Sequence, residues 1–237
     1  MSIAAPPGPA IKGSVAPVPP THSIPELRRR LPRLLFGLVL CGLGIASMVA
    51  GDLGLGPWDV LHQGVSRLTG IPIGTVNILV GLVVLAAWLP LRERPGLGTV
   101  LNVLIIGVVI DLTLLVLGTP DSLALRTVMM LAGPLLFGIG SGFYIGAGLG
   151  PGPRDGLMTG IARRTGWQVG SVRAGLELSV LLAGWVLGGT VGVGTVVFAL
   201  GIGPVVQLSL RRWALVDVPP PVAPGAPATG EHDLQPE

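Results

Sequence analysis

Charge is scarce in this sequence: only 11% of its 237 residues are Asp, Glu, Lys or Arg. A soluble chain of this length needs far more to cover its surface, so a soluble globular fold is excluded. Cysteine is reduced to Cys41, which rules out an intrachain disulfide and a cysteine metal cluster. Aromatic residues make up 4%, and Lys12 is the single lysine, so the basic residues are otherwise Arg. Enzyme signatures are missing as well. There is no H-E-x-x-H, no G-x-S-x-G and no Walker loop, because the Gly-rich runs lack the following Lys. No catalytic residues, metal or cofactor are therefore expected. Residues 1–25 hold no apolar stretch of the cleavable-signal kind, so the first long apolar run must serve as its own targeting signal. The net charge of +3 does not point to nucleic acid, since the Arg residues sit at the ends of apolar runs rather than in a stripe.

Apolar residues fill what charge leaves empty. They make up 50% of the chain, and the mean hydropathy is +0.76. The middle of the sequence is a series of runs of about 20 apolar residues, the length a helix needs to cross a hydrocarbon core. Six spans are predicted, at about 31–50, 72–91, 97–117, 124–146, 168–188 and 194–212. Together they form one membrane domain over 31–212. Residues 1–24 and 218–237 are rich in Pro and Ala, lack periodicity, and read as disordered tails. Arg28, Arg29, Arg30, Arg33, Arg92, Arg94, Arg154, Arg163, Arg164, Arg211 and Arg212 fall on one side of the six spans, and only Arg67 and Arg126 on the other. The positive-inside bias then places both termini in the cytoplasm, in a bacterial plasma (inner) membrane. Trp58, Trp88, Trp167 and Trp213 lie near span ends, where an aromatic belt accounts for them. His62 reads as an interfacial side chain.

The chain also repeats itself at a gapless offset of 96 residues. LGLGPWD at 53–59 lies over LGPGPRD at 149–155. Gly64 meets Gly160, Arg67 meets Arg163, Gly70 meets Gly166, Gly74 meets Gly170, and Gly96, Gly98 and Thr99 meet Gly192, Gly194 and Thr195. The halves run from about 37–114 and 133–210. Three spans are an odd number, so the second half enters the membrane upside down. The fold expected is an all-α membrane protein of two inverted three-span repeats, an architecture common among secondary transporters.

Two features recur in both halves. Small residues stand four apart at Gly42, Ala46, Ala50 and Gly54, and at Gly138, Gly142, Gly146 and Gly150. One helix face shared by small residues lets backbones approach in lipid, so this ladder predicts helix packing. The second feature is a helix-start turn, Gly56-Pro57-Trp58-Asp59 and Gly152-Pro153-Arg154-Asp155. Gly suits the N-cap, Pro the first helical position, and Asp59 and Asp155 the first turn, where the helix dipole favours an anion. Gly70 and Gly166 suit a left-handed helix end. A helix between these limits is too short to span, so each half carries one interfacial or re-entrant helix.

Polar residues at membrane depth are costly and mark candidate sites. Arg173 and Glu177 lie one turn apart on the fifth span and are placed to pair. Asp111 and Asn102 lie on the third. The repeat sets Asn77 over Arg173 and Asp111 over Gln207, so polar groups recur at matched depths. These six are the candidate substrate- or ion-binding residues, with a structural ion pair as the alternative for Arg173 and Glu177.

The run DLGLGPWDVLHQGVSRLTGIPIGTVNILVG, its partner GLGPGPRDGLMTGIARRTGWQVGSVRAGLELSV and the late GTVGVGTVVFALGIGP together resemble the YczE/YyaS/YitT family of bacterial membrane proteins. The similarity covers about 34–210. It implies a multi-pass inner-membrane protein of uncharacterised activity, in a family sometimes described as permeases, and it brings no binding residues with it. The expected function is a small-solute transporter or permease with its site between the halves. The alternative is a non-transporting scaffold or regulatory protein. The expected partners are the lipid bilayer, a small molecule or ion as substrate, and a second copy of the chain in a homo-oligomer, with no nucleic acid.

Overall fold

The computed structural model describes residues 24–215. The tails expected at 1–24 and 218–237 lie outside the described residues, apart from Ile24, which opens the first helix. Eight helices follow one another: α1 (Ile24–Gly51), α2 (Pro57–Thr69), α3 (Ile73–Leu91), α4 (Leu97–Val116), α5 (Leu123–Gly146), α6 (Pro153–Thr165), α7 (Val169–Val186) and α8 (Val193–Trp213). Six of them, all but α2 and α6, are long and apolar enough to cross a membrane. The chain is an all-α, multi-pass membrane protein.

The 96-residue register extends to the helix boundaries. α2 and α6, α3 and α7, and α4 and α8 begin at equivalent positions. The local chemistry explains why. Gly56 and Gly152 are extended N-caps, each followed by Pro at the first helical position. Gly70 and Gly166 close the same two helices at φ 74° in each case, a conformation open to Gly at no steric cost. At the starts of α4 and α8, Thr99 and Thr195 accept the N–H of Gly96 and Gly192 through Oγ1 at 3.1 and 3.2 Å. Each of α2 and α6 has 13 residues, about 20 Å of helix at 1.5 Å per residue.

The core seam lies between α1 and α5, which run antiparallel. A Cβ on Gly37 would lie 2.5 Å from the Gly140 carbonyl oxygen, and one on Gly44 would lie 2.6 Å from that of Gly133. Ser47 adds a hydrogen bond from Oγ to the Met129 carbonyl at 3.0 Å. Gly37 and Gly133 are repeat equivalents, as are Gly44 and Gly140, so the contact is reciprocal. The ladder of small residues packs elsewhere. Gly42 faces Val109 on α4, while Gly138 faces Val205 and Gly142 faces Ser209 on α8. Gly146 lies against Ala214. Gly54 and Gly150 differ from the helical ladder expected. They lie past the helix ends at φ 116° and 128°, where the chain turns inward to start α2 and α6.

The short helices cross between halves. α2 packs along α7 and α6 along α3, so each leans on a long helix of the other repeat. Equivalent hydrogen bonds fasten the crossover: Gly98 donates to the Leu149 carbonyl and Gly194 to the Leu53 carbonyl, both at 2.8 Å.

Candidate functional site

The chain turns inward at Gly54 and Gly150, so α2 and α6 point their first turns at each other. Their start turns meet in the interior. The Arg154 guanidinium sits 5.0 Å over the Trp58 ring, and its Nη2 lies 3.7 Å from Asp59 Oδ1. These residues bound a central cavity of about 490 Å³ lined by side chains from all eight helices. Its walls are largely apolar, with Ile45, Val84, Ile106, Phe137, Phe198 and Ile202 among them. Polar groups enter at the helix tips and along α3, α4, α7 and α8.

Of the candidate binding residues, Asn77, Asn102, Arg173, Glu177 and Gln207 line this cavity. Arg173 Nε donates to Glu177 Oε1 at 2.8 Å, and both side chains open to the space. Asp111 does not line it. Its carboxylate accepts the Gly74 N–H at 2.6 Å and the Thr75 hydroxyl at 2.8 Å, so it caps α3 from α4. The start-turn residues Gly56, Pro57, Asp59, Gly152, Pro153 and Asp155 all line the cavity.

The interior also holds residues that the sequence pattern places elsewhere. Trp58 and Trp88 are no part of an aromatic belt. Trp58 is 6% exposed at the cavity wall, and Trp88 donates its indole N–H to the Pro153 carbonyl at 3.0 Å. His62 is 2% exposed rather than interfacial, with Nδ1 3.3 Å from Asp59 Oδ1. Arg154 faces the cavity instead of the cytoplasmic surface. Trp58, His62 and Arg154 are carried inward by the short helices, and Trp88, on α3, is covered by the start of α6, whereas hydropathy and charge counts assume that connecting segments stay outside. The signal that could have found them is the repeat itself, which superposes Trp58 on Arg154.

Two buried polar atoms lack a hydrogen bond among the described residues, Trp58 Nε1 and Asp59 Oδ1. Asp59 Oδ1 is compensated by His62 Nδ1 at 3.3 Å and Arg154 Nη2 at 3.7 Å, whereas the Trp58 indole N–H stays open, at a cost of about 1–3 kcal/mol. Tyr144 donates its hydroxyl to Asp155 Oδ2 at 3.3 Å, the Gly152 backbone N–H also donates to this carboxylate, and Arg173 and Arg154 lie near it where it lines the cavity.

The cavity is walled unequally. Between α3 and α4, Gly74 and Gly107 bring the backbones into contact, and the Asp111 cap locks them. Their equivalents on α7 and α8 are Gly170 and Gly203, and a Cβ at either would find nothing within 4 Å. α7 and α8 barely touch, yet both line the cavity, so it opens between them. Gln207, the equivalent of Asp111, is exposed there.

A family of unknown function (DUF6198) matches the chain over residues 28–211. An uncharacterized protein of Haemophilus influenzae is 45% identical over 178 residues, covering 75% of this chain and 82% of that one. The uncharacterized membrane protein YczE of Bacillus subtilis is 36% identical over 211 residues, covering 83% of this chain and 98% of its own. The uncharacterized protein YyaS of Bacillus subtilis is 26% identical over 163 residues, or 67% of this chain and 81% of that one. No solved structure matches the chain.

Proposed function

The chain belongs to the family of unknown function DUF6198, and we propose that within it this protein is a small-solute transporter that works by alternating access. In this reading the two halves are inverted repeats, the cavity is the substrate site, and no reaction is catalysed. The reciprocal, antiparallel α1–α5 seam supports inversion, because a two-fold axis relating two antiparallel spans lies in the membrane plane. The protein lies in the bacterial plasma membrane with both termini cytoplasmic. The α3–α4 gate then faces outward and is shut, and the α7–α8 gate faces inward and is open.

The observation that carries the proposal is this opposition between repeat-equivalent gates. Near-identical glycine contacts stand closed on one side of the cavity and open on the other. A scaffold gains nothing from an interior cavity that carries charged groups and has one open wall. A transporter needs it, since exchanging the conformations of the halves moves access from one side of the membrane to the other.

Disulfide trapping tests the exchange. A Cβ on Gly81 would lie 3.4 Å from Val103 Cβ, with only the Val103 side chain as its nearest neighbours, so Gly81→Cys with Val103→Cys should cross-link in the state described, in a Cys41→Ser background. The equivalent pair, Glu177→Cys with Ala199→Cys, lies across the open gate and should cross-link only when the gates exchange. Formation of both disulfides in membranes, each at the expense of the other, is the expected outcome. A quantitative first pair with no trace of the second would mean a static protein and would end the transport reading.

A further inference from the structure

The tips of α2 and α6 show what the cavity is built to hold. The charged side chains lining it are the carboxylates of Asp59, Asp155 and Glu177 and the guanidiniums of Arg154 and Arg173. Glu177 and Arg173 pair with each other at 2.8 Å. That leaves Arg154 between two carboxylates, an excess of one negative charge. Two helix N-termini open into the same space, each worth about half a positive charge. The site is thus close to neutral overall but strongly dipolar. A simple anion would meet the carboxylate of Asp155, and a simple cation would meet Arg154 and the helix ends.

Resting on the transport reading above, we infer that the cavity binds a small zwitterion with an apolar body, of the class of the apolar α-amino acids. Its anionic group lies on Arg154 and the unpartnered Trp58 indole N–H, at the positive ends of the two helices. Its cationic group lies on Asp155, which keeps an exposed face on the cavity beside its Tyr144 and Gly152 hydrogen bonds, whereas Asp59 is buried under His62 and Arg154. Asn77, 8% exposed and without a hydrogen bond, faces the same space with amide donors and acceptors to spare. The apolar side chain lies along Phe198 and Ile202. A convergent set of a few polar groups in a mostly apolar cavity is the usual form of a small-molecule site. A sugar fits poorly, since its many hydroxyls would face Val84, Ile106 and Phe137 with no partners.

The test is equilibrium binding to the purified full chain in detergent, read by calorimetry and thermal unfolding. The probes are L-leucine, N-acetyl-L-leucine and L-leucinamide, which share one body and carry both charges, the anion only and the cation only. L-leucine should bind saturably and raise the unfolding temperature, and each single-charge analogue should bind about tenfold or more weakly. Arg154→Gln should abolish leucine binding. Asp155→Asn should weaken leucine and shift relative preference towards N-acetyl-L-leucine, a reversal that misfolding does not produce. Equal affinity for either analogue, leucine binding untouched by both substitutions, or no response to leucine, methionine, phenylalanine or glycine betaine would overturn the assignment. Binding in detergent does not require the gates to alternate. A chain that cross-links at both gates but ignores zwitterions loses only the substrate class, and one that binds leucine but never exchanges its gates loses only the transport reading.

Discussion

Glycine decides where backbones may meet, and the neighbours of each glycine rank their substitutions. A Cβ on Gly140 would lie 2.5 Å from the Gly37 carbonyl oxygen and 2.8 Å from the Cys41 amide nitrogen. Both are backbone atoms that cannot move aside without parting α1 and α5. Gly140→Ala should therefore lower the yield of folded protein and cost about 1–3 kcal/mol. Gly142 is constrained in the same way by the Ser209 backbone on α8, so even alanine is poorly accommodated there. Gly175, on α7, has nothing within 4 Å of a Cβ, and Gly175→Ala should leave stability unchanged or raise it by about 0.5–1 kcal/mol through helix propensity. Folded yield by size exclusion and thermal unfolding in one mild detergent make the comparison. Equal behaviour at the two sites would show that the α1–α5 seam does not hold the fold.

At the scale of elements, Asp111 joins two of them. Its carboxylate caps the N-terminus of α3 from a position on α4, while Gln207 at the equivalent place on α8 is exposed on the open side of the cavity. A carboxylate accepts two hydrogen bonds at once at a positive helix end, where an amide oxygen offers less charge. The latch thus belongs to one half alone. Asp111→Ala should cost about 1 kcal/mol as a lost cap. In the trapping assay it should lower the Gly81–Val103 disulfide and raise the Glu177–Ala199 disulfide. A ratio equal to that of the unsubstituted background would show that the cap stabilises α3 without acting on the gate.

For the whole molecule, the proposed orientation follows from where Arg remains outside the core. With Arg154 withdrawn into the cavity, Arg28, Arg29, Arg30, Arg92, Arg94, Arg163, Arg164, Arg211 and Arg212 still mark one side. Reporter fusions at residues 93 and 165 should read cytoplasmic, and those at 120 and 190 external. A cytoplasmic reading at 93 with an external one at 165 would break the three-plus-three inverted arrangement. It would also remove the assignment of the open gate to the cytoplasmic face.

Six spans, two short helices between them and the 96-residue register were all written in the sequence. Each rests on interactions within a few residues: apolar runs of fixed length, Gly-Pro starts at 56–57 and 152–153, and left-handed Gly ends at 70 and 166. Five of the six candidate binding residues reached the cavity because charge and amide groups at membrane depth need an interior to face. The tertiary structure decided the rest. It crossed α2 onto α7 and α6 onto α3, set Trp58 against Arg154, and drew Asp111 away from the cavity to cap α3. Those pairings join residues far apart in the chain, so no local pattern specifies them. The unequal gates are further still from the sequence. Gly74 with Gly107 and Gly170 with Gly203 are the same residues at the same spacing, so the glycines alone do not say which contact closes; the Asp111 cap against an exposed Gln207, and packing across the molecule, go with the difference.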